Sequence, residues 1–275
     1  MRWYRALPWR EFDGLIWPRG DGATPPKWGQ IRPSFSVLAF NPSFEAAVST
    51  ARLATYRAVA RDDEHAWELY RWNLELAAAF TPLACDVEVA LRNCIHGQLT
   101  NHFGRADWWA ATNLVLDDIT AETLASVVQR HQKKLVKGTV GPGKVVADLM
   151  LGTWVMLLSR GGTSALGRAI DYEANLWRPA LRLGFTIGTF TPKGRPRRPI
   201  RDAVHQRASN FQRLRNRSAH HEPIFAGVPV AGTTQRIGIV DVWNQSVELL
   251  EWISPDLAAE HRVTARVPEL FAARP

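Results

Sequence analysis

Apolar residues recur at spacings of three and four along most of the chain, and strand-like alternation is almost absent. From Asn41 onward the texture is helical. Ser43 suits the cap of a helix that starts at Phe44 and Glu45 and runs through Ala46, Ala47, Ala51, Leu53 and Ala54 to about Val59. Asp62, Asp63 and Glu64 supply the acidic first turn of a second helix, which carries Trp67, Leu69, Tyr70, Leu74 and Leu76. Pro82 marks a kink or break, after which Val87, Leu91, Cys94, Ile95 and Gln98 form one stripe. Thr120 and Glu122 open a helix to about Lys134, and Pro142 suits the first turn ahead of an apolar segment over 145–158. Residues 172–183 read as helix. From Arg201 to Ala219 the pattern is amphipathic, since Val204, Ala208, Phe211 and Leu214 recur at four and three, and Pro223 closes it. An extended stretch over 227–234 precedes a last helix from Ile239 to Ile253. The pattern predicts an all-α fold without internal repeats.

Residues 1–33 break this pattern. Trp3, Trp9, Trp17 and Trp28 alternate with Pro8, Pro18, Pro25, Pro26 and Pro33, and no apolar period runs through them. They read as an irregular Trp/Arg/Pro-rich arm on a helical domain over 34–275. The arm has no apolar run resembling a secretion signal. The most apolar segment, 145–158, carries Asp148 and is shorter than the ~20 residues a bilayer span needs, so it reads as a core helix. The expectation is a cytoplasmic protein that makes no membrane contact.

Charge sharpens the picture. The 275 residues hold 34 Lys+Arg against 26 Asp+Glu, a net charge of +8. Between residues 193 and 217 lie Lys193, Arg195, Arg197, Arg198, Arg201, Arg207, Arg213, Arg215 and Arg217, opposed by Asp202 alone, so this stretch carries the whole surplus. Such a footprint favours an acidic partner, with nucleic acid or an anionic membrane first in line; if the partner is RNA, Lys193, Arg195, Arg197, Arg198, Arg201 and Arg213 would lie on its backbone. Lys133, Lys134 and Lys137 offer a second patch. The 12 Trp residues imply aromatic packing sites or stacking surfaces. Cys85 and Cys94 match no metal spacing; nine residues apart on one helix, they would stand about 13 Å apart along the axis, beyond disulfide reach. Both read as buried thiols.

Most enzyme signatures are missing: no P-loop, no Rossmann glycine cluster, no GxSxG elbow, no HExxH. GTVGPGK (138–144) lacks the ending of a phosphate loop and reads as a helix entry. No set of His and carboxylates has metal-ligand spacing, and no cofactor is implied. One constellation carries chemistry: RLRNRSAHHEP, residues 213–223, at the end of the amphipathic helix. Gln212, Asn216 and His220 share one face, and Arg213, Arg217 and His221 the next. Cleaving RNA without metal needs a group to take the 2′-OH proton, another to protonate the leaving 5′-oxygen, and a fixed cation on the phosphorane. His titrates in the range for either proton task, and Arg offers a permanent forked donor. The plainer reading is a solvated basic face whose two His pair Glu222 at a helix C-terminus.

The stretch RNRSAHHEPIF (215–225) resembles the RxxxxH motif of HEPN-superfamily ribonucleases, in the form seen in Abi-like, abortive-infection proteins. The segments over 53–80, 83–99 (LACDVEVALRNCIHGQL), 148–159 (DLMLGTWVMLLS) and 175–181 (NLWRPAL) are similar in kind and order to further helices of that family. The resemblance implies a HEPN-type helical bundle, with extra helices and the arm added. It implies a homodimer with two motifs face to face, and metal-independent RNA cleavage leaving a 2′,3′-cyclic phosphate. Arg215 and His220 would be catalytic with Asn216 as polar companion, and His221 and Arg217 would support them. Phage defence or toxin action, with a possible antitoxin or other regulatory partner, would follow. Glu88, Arg92 and His96 form an i, i+4, i+8 stripe on the earlier helix. It reads either as an intrahelical salt bridge or as a group, with Asn93, that orients the motif helix. A non-catalytic RNA-binding or regulatory HEPN module is the alternative, and a protein-interaction subunit docking through the arm is a further one.

Overall fold

The computed structural model describes residues 9–12, 15–18, 40–185, 189–190, 196–230, 233–264 and 266–275. Two compact units divide the chain, Met1–Ala39 and Phe40–Pro275. In the first, β1 (Trp9–Phe12) pairs antiparallel with β2 (Leu15–Pro18), Phe12 opposite Leu15. Part of the arm read as irregular is therefore a hairpin. Among its described residues the second unit is all-α apart from an isolated bridge between Thr163 and Ala169 and two minimal two-stranded ribbons, β3 (Thr189–Phe190) with β4 (Pro196–Arg197), and β5 (Val228–Pro229) with β6 (Arg236–Ile237).

The helices are α1 (Pro42–Val48), α2 (Thr50–Arg57), α3 (Asp63–Phe103), α4 (Asp118–Val136), α5 (Pro142–Asp148), α6 (Leu151–Leu157), α7 (Arg201–Ala219), α8 (Ile239–Ile253), α9 (Pro255–Thr264) and α10 (Val267–Ala272). The spine is α3, whose 41 residues span about 60 Å. The Asp62 carboxylate accepts from the His65 N–H at 2.7 Å, Asp63 and Glu64 fill the first turn, and Gly104 ends the helix in the left-handed region at φ 69°. Its buried face carries Trp72, Leu76, Phe80, Leu83, Val87, Leu91, Ile95 and Leu99. Phe80 meets Phe211 of α7 with ring centroids 6.4 Å apart, and α8 packs on both α3 and α7.

Five expectations about the elements change. Pro82 does not break α3. Pro82 and Ala78 are exposed, so water can take the carbonyl bond that the missing N–H leaves, while buried Leu83 and Val87 hold the helix to the core. The expected first helix splits at Ser49, with φ 81°, into α1 and α2, and Asn41 rather than Ser43 caps α1. The segment over 145–158 is two helices joined by extended backbone at Leu149 and Met150. Asp148 ends the first of them, held by His131 at 2.7 Å and Lys144 at 2.8 Å. Residues 172–183 hold only a π turn (Glu173–Trp177) and a 3₁₀ turn (Leu181–Gly184). After α8, which was expected to be last, α9 and α10 follow. The indole of Trp72 donates to the Leu270 carbonyl at 2.7 Å, tying α10 to α3. No helix among the described residues is long and apolar enough to cross a membrane.

Candidate functional site

The motif helix α7 has the expected bounds, Arg201–Ala219. Val204, Ala208, Phe211 and Leu214 are fully buried, so the amphipathic period sets which residues are left for the surface. On the α6 side the approach is close: a Cβ on Gly152 would stand 3.0 Å from the Gln212 amide nitrogen. A larger residue there would require the Gln212 side chain to shift.

The end of α7 is fixed with unusual care. The His221 N–H donates to the Ser218 carbonyl at 3.1 Å and the Glu222 N–H to the Arg217 carbonyl at 2.8 Å, the paired bonds of a Schellman ending. Such an ending needs a left-handed residue after the cap. His221 supplies it at φ 55° where glycine is usual, a strained choice. Three side chains hold this turn. Arg52 of α2 donates to the His221 carbonyl. Arg217 forks onto the Pro223 carbonyl, at 2.6 Å from Nη2 and 3.2 Å from Nε, and pairs with Glu222 at 2.9 Å. The Asn73 Oδ1 on α3 accepts the Ile224 N–H at 2.8 Å and the Phe225 N–H at 3.2 Å.

Beside this turn lies a cavity of about 530 Å³ between α3 and the end of α7. Leu74, Ala77, Phe80 and Ala84 give it apolar walls, and Glu88, Arg215, Ser218 and His221 edge it. Arg215 Nε stands 3.0 Å from Glu88 Oε2, with Nη2 at 3.5 Å from Oε1. Glu88 therefore joins α3 to Arg215, and the intrahelical pair with Arg92 does not form. Arg92 and Asn93 make no side-chain bond to a described residue, and Asn93 is exposed. His96 instead accepts the Trp108 indole N–H at its Nδ1, 3.1 Å away, and burial lowers its pKa. His220 is exposed at the cap position, and neither it nor half-buried Asn216 lines the cavity. Arg215 and His221 thus share one cavity, with His220 on the turn that carries His221.

Among the described residues, Arg201, Arg207, Arg215 and Arg217 of the basic footprint are paired with carboxylates. Arg201, expected on an RNA backbone, is only 6% exposed. It donates to the Leu158 carbonyl at 3.0 Å and pairs with Glu173 at 3.1 Å and Asp202 at 2.6 Å, which makes it a structural residue. Arg207 pairs with Glu248 at 2.6 Å and stacks over Trp252, 4.6 Å from the ring centroid. Arg213 is half-buried and donates to Asn210 Oδ1 at 3.0 Å. Arg198 is exposed but donates from Nη1 to the Phe185 carbonyl. Lys193 and Arg195, and the side chain of Arg197, lie outside the described residues. Lys133, Lys134 and Lys137, at the end of α4, are exposed and unpaired among the described residues. Lys144 of the GTVGPGK stretch lies in the first turn of α5, as a helix entry would have it, and pairs with Asp148 at the end of that helix.

Cys85 is exposed and lines the cavity, which corrects the expectation that both thiols are buried. Cys94 donates to the Gly184 carbonyl at 3.2 Å, and burial pushes its pKa up to about 12. Sequence reasoning missed Asn73 and Arg52. Asn73 left a faint signal, a polar residue on the apolar stripe of α3. Comparison with protein-family models, curated proteins and solved structures finds no match.

Proposed function

We propose that this protein is a metal-independent endoribonuclease of the RxxxxH HEPN type, acting on RNA in phage defence or as a toxin. The observation that carries the reading is the junction of α7 with α3. Arg215 is held by Glu88 at the edge of a cavity, one turn before two histidines on a strained, triply braced turn. Backbone strain of this kind persists only where the surroundings enforce it, and it gathers at functional sites.

In the proposed reaction the ribose 2′-oxygen attacks phosphorus, the bond to the 5′-oxygen breaks, and the products are a 2′,3′-cyclic phosphate and a free 5′-OH. The exposed His220 serves in the proton transfer from the 2′-OH to the leaving oxygen. Arg215 stabilises the charge that grows on the phosphorane. Glu88 occupies its Nε and Nη2 side, so the Nη1 hydrogens remain for phosphate. Glu88, Arg52 and Asn73 are positioning residues. A homodimer would set two such sites in one cleft.

The test is incubation of wild type and His220→Ala with total RNA in EDTA, followed by mapping of cut sites and end chemistry. The reading expects cleavage with cyclic phosphate ends in the wild type and its loss in the variant. RNA binding without cleavage by the wild type would instead support the non-catalytic module.

A further inference from the structure

We infer that the cavity between α3 and the end of α7 is a nucleobase subsite, which receives the base attached to a phosphate held by Arg215. Its volume, about 530 Å³, lies in the range of small-ligand pockets. The walls contributed by Leu74, Ala77, Phe80 and Ala84 are apolar, as the face of a base requires. One buried polar group in the lining is unsatisfied. The Ser218 hydroxyl is buried and has no hydrogen-bond partner among the described residues. Asn73, 1% exposed, also lines the cavity, with its Oδ1 taken by the Ile224 and Phe225 amides. A buried hydroxyl without a partner is rare in folded proteins, and a ligand acceptor completes it. A nucleobase offers in-plane acceptors between two apolar faces, and the cation that would hold its phosphate stands at the same cavity edge.

This subsite rests on the RNA-cleaving reading for its phosphate partner, yet direct binding reads it out separately. The probes are the four nucleoside 3′-monophosphates, with ribose 5-phosphate and inorganic phosphate as baseless references, titrated calorimetrically into the full chain. At least one nucleotide should bind about tenfold or more tighter than ribose 5-phosphate, as base packing on protein predicts. Cys85→Trp, from an exposed position on the cavity wall, should bring that nucleotide to the ribose 5-phosphate level while the unfolding midpoint stays put. Thr81→Phe, one turn earlier on α3 and also exposed, keeps the test standing should the first variant fail to fold. Equal affinity for nucleotides and ribose 5-phosphate would overturn the subsite, as would bulky variants that bind like wild type. Bulky variants that alter oligomeric state without altering nucleotide affinity would also overturn it, and would make the cavity an interface between copies. RNA cleavage without base preference sinks the subsite alone. Base-selective binding with no RNA cleavage keeps the subsite and sinks the nuclease reading.

Discussion

Replacing Asn73 with Ala should unbrace the histidine turn at a calculable cost. The Asn73 Oδ1 accepts from two backbone amides, those of Ile224 and Phe225, at 2.8 and 3.2 Å. Ile224 is fully buried and Phe225 is 8% exposed, so water reaches these amides poorly once the side-chain oxygen is gone. An orphaned buried donor costs about 1–3 kcal/mol, and the two amides share a single acceptor, so the expected loss is about 2–4 kcal/mol. At roughly 2–4 °C per kcal/mol for a domain of this size, the unfolding temperature should fall by about 5–15 °C. Urea unfolding followed by circular dichroism measures the loss, and the slope against urea should match the wild type, since the surface exposed on unfolding hardly changes. RNA cleavage should fall further than the remaining folded fraction accounts for, because the turn carrying His220 and His221 loses one of its three braces. A stability loss under about 1 kcal/mol would refute the reasoning, for it would mean that those amides find other partners.

Other substitutions separate structural from functional roles. Arg201→Met should lose about 2–3 kcal/mol, because the Leu158 carbonyl loses its donor and Glu173 its counter-charge. The salt dependence of RNA affinity should stay unchanged in that variant, and a shallower slope would return Arg201 to the phosphate contacts. His221→Gly should be at least as stable as wild type, since glycine accepts the left-handed backbone at φ 55°, while His221→Val should lose about 1–2 kcal/mol by urea unfolding. Burial lowers the pKa of His96 and of His205 below the ordinary imidazole value of about 6.5. The unfolded chain therefore binds more protons just below that pH, and stability falls as pH drops from 6.5 toward the folded-state values. Protonated His96 would also turn its Nδ1 into a donor facing the Trp108 N–H. Unfolding temperatures between pH 7.5 and 5 should drop less in His96→Asn than in wild type.

How much of this was legible in the sequence varied with the distance over which each feature is decided. The bounds of α7 and α8 followed from apolar spacing and from Pro223, all local signals. Pro82 misled because its effect depends on which side of α3 faces water, and the sequence does not show that. The apolar stretch over 145–158 hid its break because Asp148 is held by His131, seventeen residues away. At the site, RNRSAHH was conspicuous, but the role of Glu88 depends on an ion pair across 127 positions. Local spacing pointed instead to Arg92. The charge count located the basic stretch correctly, yet Arg201, Arg207, Arg215 and Arg217 all meet carboxylates. A buried arginine is not distinguishable in sequence from a solvated one.

The central claim is that Arg215 and the histidines after it cut RNA through its own 2′-OH. Its most direct measurement is the cleavage rate of one mapped RNA by wild type and by His220→Ala, in EDTA, with folding of both checked by circular dichroism. The proposed proton transfer predicts a drop of at least about 100-fold in the variant. An unchanged rate in well-folded His220→Ala would contradict it.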